Sequence, residues 1–219
     1  ISVLDLVEYR GKSGELKKTV TLTKRQKAIL TGTLLGDGYL QKTGLKNARL
    51  RLEHGGKQKE YLLWKGRQFP KLFLANPTYI ERIHPKTNQT YTYWRWQSNA
   101  TPVLGEWRTI FYKEGKKEIP STLSTLLRDP LSLSVWYMDD GYYDVLQKHS
   151  FIYLGRVTRA EAEYARGAIV ENFGITPRIY DKKEKGFALF FSVKETRLLH
   201  LLIKPYVIAE MNYKLSLTP

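Results

Sequence analysis

Two short stretches of the chain, LTGTLLGDGY at 30–39 and LSVWYMDDGY at 133–142, follow one pattern. Each is an apolar run that reads as a helix and ends in a carboxylate, then glycine, then tyrosine. The carboxylates are Asp37 and Asp140. A negative side chain at a helix C-terminus is unfavourable, because the dipole is negative there and the last carbonyls lack partners. A lone Gly-Asp-Gly after an apolar run is ordinarily a turn. Two such runs at matched places point to a purpose. A divalent cation resolves the conflict by taking the carboxylate and a neighbouring carbonyl as oxygen ligands. Thr31, Gly32, Thr33 and Gly36 on the first run, and Ser132 and Ser134 on the second, are small enough for two helix backbones to approach closely. Helices packed about a pseudo-twofold axis would bring Asp37 and Asp140 to one end. There the pair could bind metal ions between two scissile phosphates, activate water and stabilise the leaving oxygens.

Each acid has a lysine downstream at similar distance. Lys117 follows Asp37 by 80 residues and Lys214 follows Asp140 by 74. Such a lysine could stabilise developing phosphorane charge or orient water. Alone, either would ordinarily be a solvated surface charge, and the six-residue slippage shows that the match is not strict.

The elements that must position these groups also come twice. Thr23 and Gln26 form a capping box for the first helix. Residues 48–54, ARLRLEH, alternate like a strand. A helix is expected over 57–74, then a hairpin of TYIERIH, the turn PKTNQT and YTYWRWQS. Pro102 suits the first turn of a helix over 102–112, and 113–120 reads as a basic loop. Pro130 opens the second apolar helix. Strand SFIYLG, a helix over 158–173 capped by Thr158 and Glu161 and stopped by Gly174, a hairpin of PRIY, DKKEKG and FALFFS, and a helix over 194–203 follow. The class is α+β, an internal duplication with a period of about 100 residues, far longer than solenoid repeats. The expected organisation is an N-terminal arm at 1–22, one half at 23–120, a linker at 121–129 and a second half at 130–219.

Bulk properties narrow the partner. The formal net charge is +15, from 36 Lys and Arg against 21 Asp and Glu. That excess costs stability by self-repulsion, so a polyanion is the natural partner. A membrane surface fits poorly, since the apolar runs are short and the basic residues are spread along the whole chain. With no cysteine, a disulfide framework, a thiol nucleophile and a Cys-ligated zinc are excluded. The four histidines lack zinc-ligand spacing. HGGKQK at 54–59 lacks the first glycine and the final Ser or Thr of a phosphate-binding loop. The chain opens on Ile1, which leaves room for a targeting segment upstream.

The two motifs resemble the signature helices of single-chain LAGLIDADG homing endonucleases, with Val135 in the second where the first has Gly32. The similarity extends over about residues 24–215 and is greatest to intron-encoded mitochondrial members. It is carried most specifically by KKEIPSTLSTLLRDPLSLSVWYMDDG at 116–141 and LLIKPYVIAEMNYKL at 201–215. The resemblance implies two αββαββα halves with antiparallel sheets forming a saddle over DNA. It implies Asp37 and Asp140 as catalytic acids and Lys117 and Lys214 as their basic partners. The carbonyls of Gly36 and Asp139 would complete metal coordination, and Asp139 would not serve as a catalytic acid. It further implies Mg2+ or Mn2+ as cofactor, with Ca2+ bound without cleavage, and hydrolysis of both strands across the minor groove to leave short 3′ overhangs.

Strand faces offer the reading surface. Arg49, Arg51 and Glu53 share one face, as do Tyr91, Tyr93, Arg95 and Gln97, while Trp94 and Trp96 turn toward the helices. Arg suits guanine and Gln adenine in the major groove. His84, Lys86, Asn88 and Gln89 occupy one hairpin tip. In the second half the candidates are Gln147, Lys148, His149, Arg178, Tyr180, Lys182, Lys183 and Lys185, contacting phosphate or base edges. Any one of these is commonly just the outer face of a soluble strand; the set carries the reading. Because one chain carries both halves, a monomer on an asymmetric double-stranded target is expected, with no obligate protein partner, located wherever that DNA lies, in an organelle matrix or a prokaryotic cytoplasm. A non-cleaving intron RNA maturase or binding protein on the same fold is the alternative. A transcriptional regulator would need an added helix-turn-helix domain, for which the chain has no room.

Overall fold

The computed structural model describes residues 6–10 and 16–216, with side chains from residue 20 onward. Parts of the expected arm, 1–5 and 11–15, and the last residues of the second half, 217–219, lie outside the described residues. Within the arm, strands β1 (Leu6–Arg10) and β2 (Leu16–Val20) pair antiparallel from Leu6↔Val20 to Arg10↔Leu16.

The duplication is explicit in the topology. Helix α1 (Lys24–Leu35) leads into β3 (Tyr39–Lys42), β4 (Ala48–Gly55), α2 (Lys59–Arg67), β5 (Thr78–Ile83), β6 (Thr90–Gln97) and α3 (Pro102–Phe111). After a short hairpin, β7 (Tyr112–Lys113) and β8 (Lys116–Lys117), and helix α4 (Leu123–Leu126), the order repeats. It runs through α5 (Pro130–Asp140), β9 (Gly141–Asp144), β10 (His149–Gly155), α6 (Arg159–Phe173), β11 (Arg178–Asp181), β12 (Phe187–Phe191) and α7 (Val193–Ile203). The two four-stranded antiparallel sheets have equivalent orders, β3-β4-β6-β5 and β9-β10-β12-β11. This is the expected α+β arrangement, αββαββα twice. No helix among the described residues is long and apolar enough to cross a membrane.

Local chemistry accounts for the elements. Thr23 Oγ1 accepts from the Gln26 amide at 3.2 Å, and Gln26 Oε1 accepts from the Thr23 amide at 3.0 Å, so α1 starts at the expected capping box. Thr158 and Glu161 form the second box, and Gly174 closes α6 at φ 66. Strand β4 alternates buried and half-exposed residues along its length, with Leu50, Leu52 and His54 inward. Two expectations change. The helix expected over 57–74 ends at Arg67, because Pro70 disfavours helical backbone at Phe69 and lacks an amide to donate. The basic loop at 113–120 contains the β7–β8 hairpin, with Glu114 at φ 51 and Gly115 at φ 83. Positive φ at both turn positions matches the right-handed twist of the flanking strands.

The chain forms two compact units whose composition differs from the expected halves. One holds Gly38–Ile110 and the chain before Ala28; the other holds Ala28–Asp37 and everything from Phe111. The second unit therefore takes the body of α1 as well as α5. Its core gathers Leu133, Trp136 and Tyr137 of α5 with Ile152, Ile169, Leu189, Phe191, Leu199 and Ile203. Leu123 and Leu127, within the expected linker, belong to the same core. In the first unit, Lys65 is fully buried, with Nζ 3.3 Å from His54 Nε2 and 4.5 Å from the centre of the Tyr61 ring.

Candidate active site

Helix α5 begins where Asp129 accepts from the Leu131 amide, with Pro130 at its first position. Leu131 through Met138 are all buried. A helix apolar on every side is one packed on every side, and only its first residue, Pro130, and its last two, Asp139 and Asp140, reach partial exposure. Helix α1 lies against it closely enough that a Cβ on Gly32 would overlap the Ser132 carbonyl and stand 2.7 Å from Val135 Cβ. The Thr33, Ser132 and Ser134 hydroxyls are buried without hydrogen-bond partners. Smallness, not polarity, accounts for these residues here, as the close approach expected from sequence requires.

The acids meet the lysines at the helix ends. Lys117 Nζ donates to the Gly36 carbonyl at 2.5 Å. Lys214 Nζ donates to the Met138 carbonyl at 2.7 Å and the Asp139 carbonyl at 2.8 Å. Each lysine thus sits on the carbonyl just before its acid and offsets the negative helix end that made the acids look misplaced. Lys117 is delivered by the β7–β8 hairpin. The chain after it is anchored where Glu161 Oε1 accepts from the Ile119 amide at 3.0 Å while Oε2 accepts from the Thr158 amide and hydroxyl at 2.7 Å. Burial pushes the Glu161 carboxyl upward, but these hydrogen bonds and nearby Lys116 outweigh it and leave the group below its ordinary range.

The lysine contacts bear on the expected carbonyl ligands. The Gly36 and Asp139 carbonyls already accept from ammonium groups, so only a second lone pair on each is left for a metal ion. Asp139 contributes through its side chain as well. Its Oδ2 accepts from the Asp37 amide at 3.1 Å, and a Cβ on Gly36 would overlap that carboxylate. The sequence assigned Asp139 a backbone role only; the adjacent acids in MDDG were the available signal.

The Asp140 carboxyl is strongly perturbed. Desolvation raises it first, then the charges of Asp139 and Asp37, and Lys117 and Lys214 offset only part, so it stands at about 8. Three carboxylates converge against two ammonium groups. Three hard oxygen donors, with the Asp140 proton given up on binding, fit a divalent cation. A cavity of about 390 Å³ opens beside them, lined by Gly36, Lys117, Asp140, Tyr153 and Arg156.

The other expected residues lie on strand faces and hairpin tips. In the first unit Arg49, Arg51, Glu53, Tyr93, Arg95 and Gln97 are half-exposed, and His84, Lys86, Asn88, Gln89 and Tyr91 are exposed. Trp96 is buried, its Nε1 donating to the Ala75 carbonyl at 2.5 Å, whereas Trp94 is only half-buried against Tyr79. Glu53 is engaged within its own sheet. Arg95 Nη2 lies 2.6 Å from it and Arg82 Nη1 2.8 Å. Burial raises the Glu53 carboxyl, but hydrogen bonds and charge from Arg82 and Arg95 carry it below its ordinary range. Arg82 was missed, although its place in TYIERIH puts it on an exposed strand. In the second unit Gln147, Lys148, Arg178, Tyr180, Lys183 and Lys185 are exposed. His149 packs between Phe151 and Phe190, each 5.1 Å away, and Lys182 Nζ lies 4.2 Å over the Tyr153 ring.

Duplicated αββαββα topology with an acid and a lysine at each motif-helix end is the architecture of a LAGLIDADG protein. Residues 27–199 match the LAGLIDADG DNA endonuclease family, and the chain belongs to it. Among curated proteins, the probable intron-encoded endonuclease 1 of Wickerhamomyces canadensis is 29% identical, covering 91% of this chain and 87% of that one. Protein RecA of Mycolicibacterium flavescens is also 29% identical over 89% of this chain, which spans only 47% of that relative's length. The solved structure of the homing endonuclease I-WcaI bound to its DNA recognition sequence superposes with a TM-score of 0.83 at 27% identity, covering 91% of this chain and 89% of that one.

Proposed function

We propose that the chain is a site-specific endonuclease that binds a long asymmetric double-stranded DNA target as a monomer. It hydrolyses both strands across the minor groove and leaves short 3′ overhangs. The observation that carries this reading is the pair of lysine-capped acid helices within one compact unit. The net charge of +15 supports a polyanionic partner, and the DNA-bound state of I-WcaI, a structural relative over most of both chains, supports DNA as that partner.

Asp37, Asp139 and Asp140 would hold Mg2+. The bound cation supplies a water of lowered pKa and neutralises charge on the leaving oxygen. The residues do the rest. Lys117 and Lys214, held at carbonyls beside the acids, present ammonium groups to the phosphate as charge builds. Arg49, Arg51, Arg95 and Gln97 present donors from one sheet face, and Arg178, Tyr180 and Lys182 from the other, for base edges and phosphates.

The test is cleavage of a randomised plasmid library with Mg2+, with sequencing of the cut ends. One long site with short 3′ overhangs is expected, lost in Asp37→Asn and Asp140→Asn while binding persists. Binding without cutting in any divalent metal would instead support the non-cleaving maturase reading.

A further inference from the structure

A buried polar chain connects the Lys214 segment to the helix that carries Asp140, and the reaction outlined above makes no use of it. Tyr137 Oη donates to the Lys214 carbonyl at 2.9 Å. It also lies 3.0 Å from His200 Nε2 and 3.2 Å from Ser150 Oγ. Ser150 Oγ is 3.1 Å from His200 Nε2, and the Ser216 amide donates to His200 Nδ1 at 2.9 Å. Tyr137 and Ser150 are fully buried, and His200 is 6% exposed.

The proton positions follow from groups that have no choice. An amide N–H can only donate, so Nδ1 is an acceptor and the neutral imidazole carries its proton on Nε2. A carbonyl can only accept, so the single Tyr137 proton points to Lys214. The chain therefore runs in one direction: Ser216 amide, His200, Tyr137, Lys214 carbonyl. Burial lowers the His200 pKa to about 4, which keeps the ring neutral at neutral pH. A Ser–His hydrolytic pair is excluded by the same logic, because Nε2 faces Ser150 as a donor and Ser150 is fully buried. The cavity of about 340 Å³ beside His200 is lined by Tyr143, Lys148 and Ser216 and not by Ser150.

Lys214 needs such support. It ends a 3-10 segment, Ala209–Lys214, and leads into extended backbone at Leu215. A 3-10 run of this length has poor internal hydrogen bonds. Helix α5 grips the residue twice: Tyr137 holds its backbone, while the Met138 and Asp139 carbonyls hold its ammonium. We infer that Tyr137 and His200 are positioning residues that set the Lys214 ammonium at the Asp140 helix end. As a claim about catalysis this rests on the endonuclease reading; as a claim about Lys214 geometry it does not.

Tyr137→Phe keeps the ring and removes the donor to Lys214. Ser150→Ala removes a hydroxyl of the same chain that makes no bond to the Lys214 segment, and so controls for loss of a buried hydrogen bond. Single-turnover cleavage at saturating DNA, corrected for folded fraction, should fall about 10- to 50-fold in Tyr137→Phe. Affinity for DNA should stay the same, and Ser150→Ala should cleave at the wild-type rate. In a Lys214→Ala background, Tyr137→Phe should cause no further loss, since interacting residues are not additive. A second readout needs neither metal nor DNA. Lysine acylation followed by mass spectrometry should show Lys214 modified several-fold faster in Tyr137→Phe, with Lys117 unchanged. Equal Lys214 reactivity in wild type and Tyr137→Phe, or independent multiplication of the two cleavage defects, overturns the inference. A wild-type chain that cleaves no DNA refutes the endonuclease reading instead, and acylation still decides the position of Lys214.

Discussion

Gly32→Ala tests whether contact between α1 and α5 sets the geometry of the acids. A Cβ at this position would overlap the Ser132 carbonyl and stand 2.7 Å from Val135 Cβ and 3.0 Å from the Trp136 amide nitrogen. Ordinary contact begins near 3.4 Å, so the helices must part by roughly 1 Å at this level, since close-packed interiors hold no spare volume. Overpacking of this kind costs about 1–3 kcal/mol. Alanine returns about 1 kcal/mol through its better helix propensity. The net expectation is a loss of up to about 2 kcal/mol in urea unfolding, or up to roughly 8 °C in Tm for a chain of this size. The parting also shifts Asp37 against Asp140, and a misplacement near 1 Å can cost about 100-fold in rate. Single-turnover cleavage should therefore fall by about 10- to 100-fold, beyond what the folded fraction explains, with DNA affinity retained. Gly167→Ala in α6 is the control, because its Cβ would meet nothing within 4 Å; it should gain up to about 1 kcal/mol. A Gly32→Ala chain as stable and as fast as wild type would refute the claim that helix contact sets the site.

Three further outcomes follow from the same structure. Replacing either acid, in Asp37→Asn or Asp140→Asn, should abolish cleavage and leave binding in gel shift; full cleavage by the double variant would end the assignment of these two acids to the reaction. Glu53→Gln should loosen Arg82 and Arg95, which now lie 2.8 and 2.6 Å from the carboxylate. Against a panel of single-base target variants, discrimination should drop about 5- to 100-fold at one or two base pairs and hold elsewhere. Buried His200, packed by Tyr137, Tyr143 and Ser150 with Lys148, Arg197 and Lys204 around the adjoining cavity, should make stability fall with acid. Its folded pKa of about 4 lies below the ordinary 6.5, so the unfolded chain binds more protons between those values. Stability is then whole above pH 6.5 and declines toward pH 4, by about 3 kcal/mol at most, and a His200→Gln chain should show a flatter profile in urea titrations.

How far the sequence carried can be judged from particular residues. Capping at Thr23 and Thr158 and the alternation of β4 are local, decided by neighbours within four residues, so the pattern alone located them. The helix expected over 57–74 runs through Pro70, whose effect on Phe69 is also local, and the helix ends at Arg67. Lys117 and Lys214 were legible as a repeat, while their targets were not. Which carbonyl an ammonium reaches depends on the β7–β8 hairpin in one case and on a 3-10 segment in the other, and that explains why the spacings of 80 and 74 residues need not agree. The contacts Glu161–Ile119, Tyr137–Lys214 and Glu53–Arg82 join residues 42, 77 and 29 positions apart. No periodicity encodes such pairs; each appears only once the elements have packed.

The lysines also explain how one chain can be strongly basic and still gather carboxylates. A net charge of +15 attracts a polyanion. At the acid helix ends Asp37, Asp139 and Asp140 outnumber Lys117 and Lys214, and burial and then the crowding of acids raise the Asp140 carboxyl. Had further cations filled that deficit, the carboxylates would be neutralised and would have little affinity for a metal ion. Had the two lysines been absent, the helix dipoles and mutual repulsion would raise the carboxyls further and favour protons over metal. Two ammonium groups, each also donating to a backbone carbonyl, stabilise part of the charge of three acids and leave the rest for a divalent cation.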